Sequence, residues 1–181
     1  MINKVNVSYT DQLAHCDLAR HLKDLITINS VFVCIGTDRI IVDCLGPLVG
    51  TMLKEKFLPL PVYGTIEEPI HALNIKQSLK EIYKYHSDES IIGIDSCVGK
   101  FDDIGYIKII DEPICPGSSF KKDLPIVGKH SIIGITGNSQ VAQEFINSAV
   151  RLNVVYGMAK VITLAILEGY QLYKISRKAK H

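Results

Sequence analysis

The stretch VFVCIGTDRIIVDCLGPLVGTML, Val31 to Leu53, decides the fold. Its opening run, Val31 to Ile35, is short, continuously apolar and largely β-branched, the pattern of a strand covered on both faces in a parallel α/β sheet. Gly36 ends that run. Leu45 to Phe57 then reads as a helix with Leu48, Met52 and Leu53 facing inward, Lys54 and Lys56 near its C-terminus and Pro59 beyond it.

Working outward, Ser8 or Thr10 is placed to cap a helix in which Leu13, Leu18, Leu22, Leu25 and Ile26 recur at three-to-four residue spacing, ending near Asn29. PVYGT, Pro61 to Thr65, reads as a short strand, and Ala72 to Tyr85 as a helix with Ile75, Leu79, Ile82 and Tyr83 on one stripe. SIIGID (Ser90 to Asp95), GYIKII (Gly105 to Ile110) and SIIGIT (Ser131 to Thr136) are further strands. Between the last two lies DEPICPGSSFKKDLPIVGK, a loop with three prolines and two glycines and long enough to suggest a functional segment. After Gly137 the pattern predicts one long helix to about Lys178. Helices alternating with buried strands predict an α/β protein, a three-layer α/β/α sandwich. At roughly 150 residues per domain, residues 1–181 form a single domain.

Hydrophobic residues make up 47% and charged residues 22% of the chain, proportions that exclude a disordered protein, a collagen and a coiled coil. Twenty basic residues stand against 19 acidic ones, so no general electrostatic attraction to nucleic acid or an anionic membrane is expected. The most apolar stretch, Ala149 to Leu167, is interrupted by Arg151, Asn153 and Lys160, and its longest clean run, Val161 to Leu167, is far below the ~20 residues a bilayer requires. The N-terminus carries no apolar signal core, which points to the cytoplasm. Cys16, Cys34, Cys44, Cys97 and Cys115 are odd in number and contain no C-x-x-C pair, the usage of free thiols in a reducing compartment.

In open α/β sheets ligands gather beyond the carboxyl ends of strands. That rule selects GTDRIIVDCLGP after the first strand and DSCVG after SIIGID. Asp43 and Asp95 lie there, and adjoining strands would bring both carboxylates into one cleft. Like charges raise one pKa of such a pair, so the two share a proton and can act as acid and base on a water. The same residues also suit a helix N-cap (Asp43) and a strand-end acceptor of loop amides (Asp95), and Asp38 competes with Asp43 on spacing alone. The glycines match neither a dinucleotide fingerprint nor a P-loop. Cys115 in the turn CPGSS has no local histidine to activate it. The six histidines show no paired ligand spacing, although Asp43 and Asp95 with His71 or His130 remain a conceivable metal set. Lys121, Lys122 and Lys129 give the long loop a basic character.

Three segments carry a resemblance. CIGTDR (Cys34 to Arg39), DCLGPLVGTML (Asp43 to Leu53) and KKDLPIVG (Lys121 to Gly128) resemble the YyaC family of sporulation proteins from endospore-forming Firmicutes, over essentially the whole chain. More distantly the chain is similar to the spore germination protease and the hydrogenase maturation endopeptidases, which implies an α/β/α fold on a mostly parallel five-stranded sheet. The germination protease pattern falls on Asp43-Cys44-Leu45-Gly46-Pro47, Ile94-Asp95-Ser96 and Cys115-Pro116-Gly117-Ser118. Cys44 and Ser96 stand where that pattern has alanine, Cys115 where it has histidine, and Ile40-Ile41-Val42 where YyaC-like chains carry Ser-Thr-Gly.

The resemblance implies an atypical aspartic endopeptidase of the sporulating cell, with Asp43 and Asp95 as the catalytic pair. Gly36, Thr37, Asp38, Ser96, Cys97, Cys115, Gly117 and Ser118 would then shape the substrate cleft. No counterpart of the nickel-binding histidine of the hydrogenase maturation enzymes is found, so neither metal nor other cofactor is expected. The expected partner is a peptide or protein substrate such as a spore protein, with no nucleic acid and no membrane, and the apolar terminal helix suggests a homodimer. A peptide- or partner-binding protein without turnover and a metal-dependent hydrolase are the alternatives.

Overall fold

The computed structural model describes residues 5–116, 124–140 and 150–179. Its elements are β1 (Val5–Ser8), α1 (Ala14–Leu25), β2 (Val31–Cys34), α2 (Leu45–Glu55), β3 (Val62–Tyr63), α3 (Ile75–Ile82), β4 (Ile91–Gly99), β5 (Tyr106–Ile110), β6 (His130–Asn138) and α4 (Leu152–Lys178). The strands form one sheet in the order β1-β5-β6-β4-β2-β3. The α/β class is as expected. The described sheet, however, has six strands rather than five, because Val5–Ser8 adds an antiparallel edge strand to β5. Pairings β2–β3, β2–β4 and β4–β6 are parallel, and β5–β6 is antiparallel.

Alternation along β2 explains why its sequence is apolar throughout. Phe32 and Cys34 enter one cluster with Leu18 and Leu22 of α1, Leu45, Val49 and Leu53 of α2, and Met158 and Ile162 of α4. Val31 and Val33 point the other way, into a second cluster with Ile75, Leu79 and Ile82 of α3. A strand buried on both faces has no position for a polar side chain.

Helix boundaries differ from the sequence expectation: α3 is shorter than Ala72 to Tyr85, α1 ends at Leu25 rather than near Asn29, and two helix starts shift because of pairing. Ser8 is spent in β1, where its hydroxyl lies 2.8 Å from that of Thr10, so α1 begins later with Leu13 at its N-cap. The long C-terminal helix does not start after Gly137. Gly137 and Asn138 extend β6 against Val98 and Gly99, and α4 begins at Leu152, with Arg151 in extended conformation before it. Ladder pairing with β4 therefore overrides the helical pattern there. By length and composition α4 would suffice to cross a bilayer. In the fold, its buried stripe of Val155, Met158, Ile162 and Ile166 forms part of the core.

Gly46 sets how closely α2 approaches the sheet. A Cβ there would lie 2.1 Å from the carbonyl oxygen of Ile35 and 2.7 Å from its nitrogen, so only a bare backbone fits. Pro47 follows in the first turn, where a missing amide hydrogen costs nothing. Gly46→Ala is expected to destabilise the protein by about 3 kcal/mol through this backbone overlap, read from urea unfolding midpoints.

Candidate functional site

The cleft exists because β2 stops before β4 does. The β2–β4 ladder ends at Cys34 opposite Ile94, with one further bond from the Ile35 amide to the Ile94 carbonyl at 2.7 Å. Beyond that point β4 continues through Asp95 to Gly99, supported only by β6. Asp95 thus sits inside a strand, opposite Ile133, rather than at a strand end. Its side chain emerges where the neighbouring strand has already turned away.

Asp43 reaches the same place through a backbone clamp. Gly36 has φ +137°, and a Cβ on it would fall 2.0 Å from the Asp43 carbonyl oxygen. The Gly36 amide donates to Ile70 O at 2.8 Å and the Thr37 amide to Asp43 O at 3.0 Å. Both amides are therefore used within the turn. Asp43 closes a single 3-10 turn, Ile41–Asp43, and the N-cap of α2 is Cys44, which makes no side-chain capping bond.

A bulge in the β4–β6 ladder fixes this turn from the other side. Register shifts between Cys97 and Val98, which pair with Ile135 and Gly137, leaving Thr136 without a partner across the ladder. The Thr136 hydroxyl, fully buried, donates instead to the carbonyl of Val42 at 2.6 Å. Bulges commonly re-aim side chains beside active sites. Nothing in the alternation of SIIGIT marks Thr136 for this task, and sequence reasoning missed it.

These elements enclose a cavity of about 400 Å³, within the usual size of small-ligand pockets. Asp43, Asp95, Ser96, Cys97, Gly36 and Cys115 all line it, as does His71. Its walls are otherwise largely aliphatic: Ile35, Ile40, Val42, Val98, Ile110, Ile114, Leu124 and Ile133. Thr37 and Asp38 are not among the lining residues, and Asp38 is exposed. Gly117 and Ser118 lie outside the described residues, as do Lys121 and Lys122. Parts of the long loop do form a wall, held by an antiparallel bridge between Ile114 and Val127 and by the Gly128 amide donating to Asp88 Oδ1 at 3.1 Å.

The two aspartates differ in environment. Asp95 is 8% exposed and Asp43 half-buried. Burial, reinforced by the negative charge of Asp43, raises the Asp95 pKa well above the ordinary carboxylate value, while the Ser96 amide donating to Asp95 Oδ1 at 2.8 Å opposes this. Of the two, Asp95 is the one whose surroundings favour the protonated form. Two cysteines beside the aspartates are poor nucleophiles: burial raises the thiol pKa of Cys97, with Lys108 opposing and Asp95 adding to it, and burial with Asp38 and Asp43 raises that of Cys44. A thiol so shifted stays protonated and weakly nucleophilic.

His71 enters the cavity wall because Ile70 forms a bridge to Ile35. The Leu73 amide donates to its Nδ1 at 3.3 Å. His130 is elsewhere, with Nδ1 2.6 Å from Asp111 Oδ1. Among the described residues, neither aspartate belongs to a group of three His, Cys, Asp or Glu side chains whose ligand atoms lie within 4.8 Å of one another.

Residues 6–165 match the model of a family described as a protein of unknown function, DUF1256. The chain is also 40% identical over 164 residues to the uncharacterized protein YyaC of Bacillus subtilis (strain 168), covering 88% of this chain and 80% of that protein.

The raised Asp95 pKa has a consequence for stability. Between the ordinary carboxylate pKa and the native value, the native state holds a proton that the unfolded chain has released, so stability falls as pH rises through that window. Asp95→Asn keeps an oxygen for the Ser96 amide and removes the buried ionisation. Its thermal midpoint should match the wild type near pH 3.5 and exceed it by a few degrees at neutral pH, measured by thermal denaturation across the range.

Proposed function

The chain belongs to the DUF1256 family, and on that footing we propose that it is an endopeptidase that activates water between Asp43 and Asp95. The observation that carries the reading is a buried Asp95 whose pKa is raised by burial and by the charge of Asp43, with both carboxylates lining one apolar-walled cavity. Two carboxylates held in different protonation states can divide acid and base roles at one pH.

In this reading the ionised Asp43 takes a proton from the attacking water. Asp95 gives its proton to the scissile carbonyl oxygen as the tetrahedral intermediate forms. A proton then passes to the leaving amine, and the pair returns to its singly protonated state. Since the amides of Gly36 and Thr37 are bonded within the turn, charge on the developing oxyanion is met chiefly by the Asp95 proton. The aliphatic walls favour a peptide segment carried in extended form past the pair.

Resemblance to the spore germination protease supports a cytoplasmic role in the sporulating cell or forespore, with spore proteins as substrates. Cleavage of spore protein extracts by wild type, Asp43→Asn and Asp95→Asn tests the proposal. Each substitution should lower the rate about 10²- to 10⁴-fold, the usual contribution of a general acid or base. Wild-type activity should fall as pH rises through the Asp95 pKa, since the acid is then lost. Equal cleavage by all three proteins contradicts the proposal.

A further inference from the structure

On the opposite side of the core from the α3 cluster, α1 packs against α4, and this contact carries a donor set that the proposed reaction does not use. His15 and Cys16 in the first turn of α1 face Glu168 of α4. One ligand atom from each of these three side chains lies within 4.8 Å of the other two. His15 Nε2 is 3.4 Å from Cys16 Sγ and 3.8 Å from Glu168 Oε2. We propose that His15, Cys16 and Glu168 form a zinc site that ties the first helix to the last.

The distances support this assignment. Zinc bonds of about 2.1 Å to imidazole nitrogen or carboxylate oxygen and about 2.3 Å to thiolate place tetrahedral donors roughly 3.4 to 3.6 Å apart. The two separations from His15 therefore need adjustments of only a few tenths of an ångström, and the Cys16 and Glu168 donors lie within 4.8 Å of each other. At 3.8 Å the His15–Glu168 contact is longer than a hydrogen bond and within ion-pair reach, so the two donors already face each other. One thiolate, one imidazole and one carboxylate form a borderline donor set that suits zinc and discriminates against magnesium and calcium, which take oxygen ligands.

All three residues are partly exposed, leaving the fourth position to water and giving the ion a route in. Binding requires the Cys16 thiolate, so one proton leaves the thiol for each ion taken up and affinity increases with pH. The remaining surroundings are compatible: the Arg20 guanidinium is engaged by Asp17 at 2.9 Å. Gly169, next to Glu168, lets the helices meet closely, since a Cβ there would lie 3.0 Å from Leu22 Cβ. The ion would therefore span a contact already tight enough to hold its donors in place.

The test uses the full chain, freed of metal by chelation and titrated with zinc against a chromophoric chelator. Wild type should bind one zinc per chain. His15→Ala, Cys16→Ser and Glu168→Gln should each weaken binding tenfold or more, while Cys97→Ser and Cys115→Ser leave it unchanged. Zinc should raise the thermal midpoint of the wild type and not that of Cys16→Ser. Cobalt(II) gives a second readout that does not depend on stability: a thiolate charge-transfer band in the wild type that is absent from Cys16→Ser. The proposal is overturned if the wild type binds no zinc, if the three variants bind as it does, or if binding is lost instead with His71→Ala and Asp95→Asn, which would place the ion in the cavity.

Discussion

The close approach of Gly36 to the Asp43 carbonyl is the constraint on which the site depends. No side chain fits between them, and the φ of +137° at Gly36 is one that L-residues rarely adopt. The turn therefore folds back on itself, with the Thr37 amide on Asp43 O and the Gly36 amide on Ile70 O. Gly46 then brings α2 against Ile35. Moving any of these backbones outward by the radius of a methyl group would carry Asp43 away from Asp95 and open the cavity to solvent.

From the β6 side, the bulge performs the complementary task. It directs the buried Thr136 hydroxyl to the Val42 carbonyl, one residue before Asp43. The turn that bears one aspartate is thus fixed by Gly36, just past the end of β2, and by β6 through a hydrogen bond, while the other aspartate is fixed within β4. One carboxylate is held by a 3-10 turn and the other by β4, and neither can easily withdraw from the other's charge. Burial, reinforced by that proximity, raises the Asp95 pKa and so favours its protonated form.

Much of this was legible from the sequence because the determining patterns were local. The apolar run at Val31 to Ile35, the stripe at Ile75, Leu79 and Ile82, and the Gly and Pro around Asp43 each announce a strand, a helix or a tight turn. The unseen parts are those determined by pairing across distance. VNVS is too short to show strand periodicity, so β1 appears only through its ladder with β5. Asp95 looked like a strand end because polar residues follow it, yet Ser96 to Gly99 continue the ladder on β6. Gly137 looked like the start of a helix for the same reason. Thr136 reaches the cavity through a bulge that leaves no mark in composition or spacing, whereas His71, already a candidate beside the two aspartates, is brought there by a bridge equally invisible in the sequence.

The proposed reaction depends on Asp95 holding a proton beside Asp43. Carbon-13 NMR titration of the side-chain carboxyls, in the wild type and in Asp43→Asn, measures it directly. Asp95 should titrate well above the ordinary value of 3.8 in the wild type and shift down when the Asp43 charge is removed, staying above that value because burial persists. An Asp95 carboxyl that titrates near 3.8, or one that is indifferent to Asp43→Asn, would contradict the account.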